Sequence, residues 1–160
     1  MSDEDFATGN AGSATTIFVE AGRRKIGSLL MMKEEFPCKV TAFSTAKPGK
    51  HGSAKAMITG KDIFTDKQYE ETFGTGDNIP APVVQKQEYN CISEDDGVLT
   101  LMDQQGELKE NLNLPTEEHL SDVAKLIKKI LEDGKKECLV SVQRWGEREQ
   151  VIAAREGADQ

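Results

Sequence analysis

The chain has 160 residues, 37% hydrophobic and 30% charged, with a formal net charge of −8. That balance excludes fibrous and disordered classes, and the length suits one ordinary domain or two small ones. No apolar run approaches the roughly 20 residues needed to cross a membrane, and the acidic start MSDEDF lacks the basic, then apolar, pattern of an export signal.

Residues 1–16 are Ser, Thr, Gly, Ala and Asp with almost nothing to bury, so a disordered tail is expected. In FPCKVTAF, Cys38, Val40 and Ala42 alternate with Lys39 and Thr41, which predicts a strand with those three on one face. Pro37 stands near its start, where a missing N–H does least harm. AKAMITG alternates in the same way, with Ala54, Ala56 and Ile58 opposed to Lys55, Met57 and Thr59. The two runs flank STAKPGKHGS and predict a hairpin with a basic tip. DIFTDKQYEETF predicts two more short strands around a turn at Asp66-Lys67. NIPAPVV, with two prolines, predicts a domain junction near Val83. Residues 1–83 hold 10 Lys/Arg and 11 Asp/Glu, whereas residues 84–160 hold 10 and 17, so the acidity belongs to the second half.

Beyond the junction, YNCIS, GVLTLMD and GELKENLNL predict successive strands, with DDG and DQQG as turns. Leu120, Val123, Ala124, Ile127, Ile130 and Leu131 then recur at helical spacing. This predicts an amphipathic helix of about four turns, with Thr116 as N-cap, Glu117 and Glu118 at the positive end of its dipole, and Gly134 as the stop. KECLVSVQRW predicts another strand and EREQVIAARE a terminal helix. The pattern as a whole is mainly β: two small β-barrel domains, the second compatible with an OB-fold carrying one inserted helix.

Cys38, Cys91 and Cys138 are odd in number and form no CxxC pair. A disulfide framework or zinc site is not expected, and reduced thiols in a cytoplasmic chain are. Between Glu35 and Asp62 there is no acidic residue, but there are five lysines: Lys39, Lys47, Lys50, Lys55 and Lys61. Gly49 and Gly52 bracket Lys50-His51 and suit a tight reversal at the tip. Three residues on each arm would carry Lys50 about 10 Å outward. Nucleotide binding by a P-loop is excluded, because Ser44 stands where the first glycine belongs and His51 where Ser or Thr must hold magnesium. A Schiff-base lysine requires burial, which an exposed tip lacks. Contact with a polyanion fits best, driven by counterion release. His51 suits stacking on RNA or hydrogen bonding to it, and Trp145 suits a barrel edge or a stacking platform.

KPGKHGSAK, running from Lys47 to Lys55, resembles the modification loop of the eukaryotic and archaeal translation factor 5A family. FPCKV, DIFTDKQYEE, DGVLTLMDQQGELKENLNLP and the helix after it extend the resemblance from Ile17 to Ala154. Pro48 and Ser53 look more like the archaeal form of the loop. The resemblance implies an SH3-like barrel over 17–83 carrying the loop, and an OB-fold over 84–160. It implies that Lys50 is the acceptor for hypusine, built from spermidine by deoxyhypusine synthase and completed by deoxyhypusine hydroxylase in eukaryotes. Lys47, Pro48, Gly49, His51, Gly52, Ser53 and Lys55 would then contact RNA. It also implies binding to the large ribosomal subunit near the exit site, with the loop against peptidyl-tRNA and ribosomal RNA. Such a factor relieves stalls such as polyproline, assists termination, and is not an enzyme; no metal or other cofactor is implied. The alternative from the residues alone is a generic RNA-binding barrel protein that uses an unmodified basic loop.

Overall fold

A computed structural model of the chain describes residues 15–47 and 54–160. These residues fall into two compact units divided between Val83 and Val84.

The first unit begins with β1 (Thr16–Glu20), followed by a single 3-10 turn, β2 (Leu29–Met32), β3 (Phe36–Ala46), β4 (Lys55–Asp62), β5 (Gln68–Gly74) and β6 (Asn78–Pro82). Strands β2-β3-β4-β5 form one antiparallel sheet in sequence order, and β1 pairs with β6. The expected tail is therefore too long by two residues: Thr16 lies in β1, and the Thr15 carbonyl accepts a hydrogen bond from Val83 N at 2.7 Å. Residues 1–14 lie outside the described residues.

Leu30, Met32, Cys38, Val40, Ala56 and Ile58 fill this unit's core, and the Phe36 and Tyr69 rings stack with centroids 4.4 Å apart. The alternation read in AKAMITG holds, with Ala56 and Ile58 buried and Lys55 and Met57 exposed. That read in FPCKVTAF fails at Ala42. A register shift between Val40 and Ala42 inserts an extra residue, so Ala42 is exposed and Phe43 turns to the core instead. Ile63 and Phe64 belong to a turn rather than a strand. The turn is held by the buried Asp62, whose Oδ1 accepts from Phe64 N at 2.8 Å and Thr65 N at 3.1 Å.

The second unit runs β7 (Gln85–Asp95), β8 (Val98–Met102), β9 (Leu108–Asn113), α1 (Ser121–Asp133), β10 (Lys136–Trp145) and β11 (Arg148–Asp159), in the sheet order β11-β10-β7-β8-β9. Asp96 and Gly97, with φ of 52° and 87°, make the left-handed turn that the strand twist favours between β7 and β8. The sheet curls so that its edge strands β9 and β11 meet, tied by Lys109 Nζ to Glu149 Oε1 at 3.0 Å. Helix α1 closes the core through Ile127 and Ile130.

The helix starts later than expected. Thr116 does not cap it; Glu118–Leu120 form a 3-10 turn that buries Leu120 before the α-helix begins at Ser121. Gly134 ends it at φ 66°, donating to the Ile130 carbonyl at 3.1 Å. The expected terminal helix is instead β11, paired with β10 along its length. Its alanines and charges favour a helix locally, but β10 otherwise lacks an outer partner, and extension sends Val151 into the core.

All three cysteines are free and buried. Burial, then the Asp62 and Glu71 carboxylates, push the Cys38 thiol up to about 12. Cys91 and Cys138, distant in sequence, face each other across β7 and β10. The Cys91 thiol is raised, first by its hydrogen bond with Cys138 and then by burial. The same hydrogen bond lowers the Cys138 thiol, so what shields that cysteine is its full burial. Iodoacetamide near neutral pH, which needs an accessible thiolate, should label none of the three in the native protein and all three in denaturant. Rapid labelling of native Cys38 would contradict this packing. Among the described residues, no helix is long and apolar enough to cross a membrane.

Candidate functional site

The basic segment joins the ends of a hairpin, as its sequence predicts. Strands β3 and β4 pair from Cys38↔Asp62 to Ala46↔Lys55, so 47–54 is their connection. Lys47 and Ala54 are described; Pro48, Gly49, Lys50, His51, Gly52 and Ser53 lie outside the described residues.

The two arms are held differently. Past Phe43, Ser44 to Lys47 are exposed in succession, so both faces of β3 have left the cover of the core. The β4 arm stays anchored. Lys55 pairs with Gly74 and Ala56 with Phe73, Ala56 is fully buried, and Thr75 N donates to the Ala54 carbonyl at 3.1 Å. The turn after β5 is itself fixed. Asp77 Oδ2 accepts from Gly74 N at 2.9 Å, the Asp77 carbonyl accepts from Ala21 N at 2.9 Å, and Gly22 N donates to the Thr75 carbonyl at 2.8 Å. A Cβ on Gly22 would meet that carbonyl oxygen at 2.8 Å, so the close approach requires glycine. This clamp of Ala21, Gly22, Thr75 and Asp77 escapes a reading of the sequence, because GTGD signals only a turn.

Lys47 and Lys55 flank the connection, and both are exposed. Among the described residues no carboxylate pairs with either. Lys39 and Lys61 oppose each other farther down the same β3–β4 pair, and Lys61 Nζ lies 3.9 Å from Asp66 Oδ2. The lysines thus share one hairpin, and their like charges raise the local potential along it. His119 is exposed in the 3-10 turn of the other unit, and Trp145 is half-buried at the end of β10. Among the described residues no group of His, Cys, Asp and Glu is placed to hold a metal.

The profile described as "Translation initiation factor 5A-like, N-terminal" matches residues 13–77, and that described as "Eukaryotic elongation factor 5A hypusine, DNA-binding OB fold" matches 83–155. Eukaryotic translation initiation factor 5A of Dictyostelium discoideum is 42% identical over 139 residues, covering 87% of this chain and 84% of that protein. The chain belongs to the translation initiation factor 5A family. Factor 5A-1 of Saccharomyces cerevisiae is 34% identical, with 99% and 98% of the two chains covered. The solved structure of a factor 5A family protein from Naegleria fowleri superposes with a TM-score of 0.81 at 37% identity, covering 88% of this chain and 99% of that one. The factor from Methanococcus jannaschii shares the fold at a TM-score of 0.66 and 24% identity, covering 88% and 95%. The fold is that of the family, an SH3-like first barrel and an OB-fold second barrel.

Proposed function

We propose that this member of the translation factor 5A family is an elongation factor that binds the large ribosomal subunit near the exit site. Lys50, modified to hypusine from spermidine by deoxyhypusine synthase, would meet peptidyl-tRNA and ribosomal RNA there. The observation that carries the reading is the β3–β4 hairpin, which joins KPGKHGSAK across one anchored arm and one projecting arm, in a chain matching a family profile whose description names hypusine.

The chemistry fits the shape. Lengthening Lys50 adds reach and a second amine while keeping positive charge, and hydroxylation, where it follows, adds a hydrogen-bonding group. A slender polycation enters an RNA cavity that excludes a folded domain. Holding the end of the tRNA in place accelerates peptide bond formation by orientation, with no protein base and no enzymatic step by the factor itself. Stalls at consecutive prolines and termination are where such positioning tells most. Lys47, Pro48, Gly49, His51, Gly52, Ser53 and Lys55 would present Lys50 to its modifying enzymes and to RNA.

Ribosome co-sedimentation over a salt series tests the docking. Binding should weaken steadily as salt rises, with a shallower slope when Lys47 and Lys55 are both changed to Gln. Binding indifferent to salt would remove the hairpin as a main contact. An unmodified RNA-binding barrel would bind equally well whether or not the synthase is present, which separates the alternative.

A further inference from the structure

Strand register makes neighbours of the two cysteines in the second core. Cys91 on β7 and Cys138 on β10 are direct register partners. Both belong to one buried cluster with Leu99, Leu101 and Val140, so their side chains share the inner face of the sheet. Opposed residues on antiparallel strands have Cα atoms about 4.5–5.5 Å apart, within the roughly 4.4–6.8 Å that a disulfide spans. The two thiols are free and already hydrogen-bonded to each other.

The pair also sits where the sheet is least continuous. The β7–β10 ladder, which starts at Arg144↔Gln85, ends at Cys138↔Cys91. The β7–β8 register shifts between Cys91 and Ser93, and the β10–β11 register between Lys136 and Cys138. Each irregularity interrupts the ladder beside a cysteine. The end of a ladder opens locally at far lower cost than the whole barrel, which admits a small reagent and lets the strands adjust.

We propose that Cys91 and Cys138 are a reversible oxidation site, where a peroxide converts the two thiols into one disulfide that locks β7 to β10. The Cys138 sulfur attacks a peroxide oxygen and the O–O bond breaks, leaving Cys138 as the sulfenic acid and releasing water. The Cys91 sulfur then attacks the Cys138 sulfur. The S–O bond breaks, and the departing hydroxide takes the Cys91 proton as a second water. The two thiols lose two electrons and the peroxide gains them. A dithiol reductant reverses the bond by exchange.

The order of attack follows from the hydrogen bond. Cys91 keeps its proton and shares it with Cys138, which favours thiolate at Cys138. Hydrogen peroxide, little larger than water, enters an opening that excludes iodoacetamide. Cys38 lies in the other core, beside Asp62 and without a cysteine partner. The disulfide closes a loop that carries β8, β9 and α1, and so removes freedom from the unfolded chain of the second unit.

The test treats the full chain, reduced and native, with hydrogen peroxide at neutral pH, removes the peroxide, and alkylates with iodoacetamide in denaturant. Mass spectrometry should find Cys38 alkylated and a peptide linking Cys91 to Cys138. A dithiol added before alkylation should restore alkylation of all three cysteines. In the oxidised protein, amide exchange in β7 and β10 should slow about tenfold or more, while β3 and β4 are unchanged. Cys138→Ala should abolish the linked peptide, and Cys91→Ala should leave a sulfenic acid on Cys138 that dimedone traps. Circular dichroism identifies any variant that fails to fold, and the peptide map of the unsubstituted protein keeps the test decisive in that case. Three alkylated cysteines after peroxide would overturn the proposal, as would a bond that uses Cys38 or joins two chains. Faster exchange in β7 and β10 would overturn the lock, because the bond would then strain the barrel.

Discussion

Lys50→Arg should leave the protein folded and abolish its activity. Arginine keeps the charge, but its guanidinium has a far higher pKa than an amine and is a poor acceptor of an aminobutyl group. No hypusine would form, and the side chain would stay short. Translation of a polyproline reporter in extract depleted of the factor should then fall on the order of a hundredfold relative to the modified protein, the scale of loss when a reactant is misplaced by about 1 Å. Stability should change by less than about 0.5 kcal/mol, as for a loop substitution away from a core. Full reporter activity from the arginine variant would contradict the mechanism.

The largest effect on stability is expected at Ile127, which is fully buried and packs helix α1 into the second core. Ile127→Ala removes apolar surface and leaves a cavity that the closed sheet cannot readily collapse, at a cost of about 2–5 kcal/mol. Because each unit has its own core, the loss should fall on the second. Hydrogen exchange should accelerate in β7, β8 and β10 while β3 and β4 keep their protection. Exchange accelerated equally in both units would show a single cooperative core instead.

Much of this architecture is legible because local pattern and tertiary environment agree. Ala56 and Ile58 alternate with Lys55 and Met57 and occupy the faces that alternation assigns. Leu120, Ile127 and Ile130 recur at helical spacing and are buried. The failures arise where tertiary context overrides local signal. The extra residue at Val40 to Ala42 has no mark in the sequence, yet it reverses every face beyond it. β11 has a helix former's composition, and only its pairing with β10 makes it a strand. Thr116 has the chemistry of an N-cap, but burial of Leu120 in a 3-10 turn moves the helix start past it. The nearness of Cys91 to Cys138 depends on strand order and register, which no short window contains.

The candidate site divides in the same way. The hairpin and its basic loop are legible as geometry and charge. The choice of Lys50 among five lysines rests on resemblance to the family, since a modification is selected by the enzyme that makes it and not by the fold of the acceptor. Peptide mapping by mass spectrometry of the protein from growing cells of its native host addresses that choice directly. The peptide containing Lys50 should carry the aminobutyl-derived adduct, and Lys47 and Lys55 should be unmodified. An unmodified Lys50 in those cells, or the adduct on a different lysine, would contradict it.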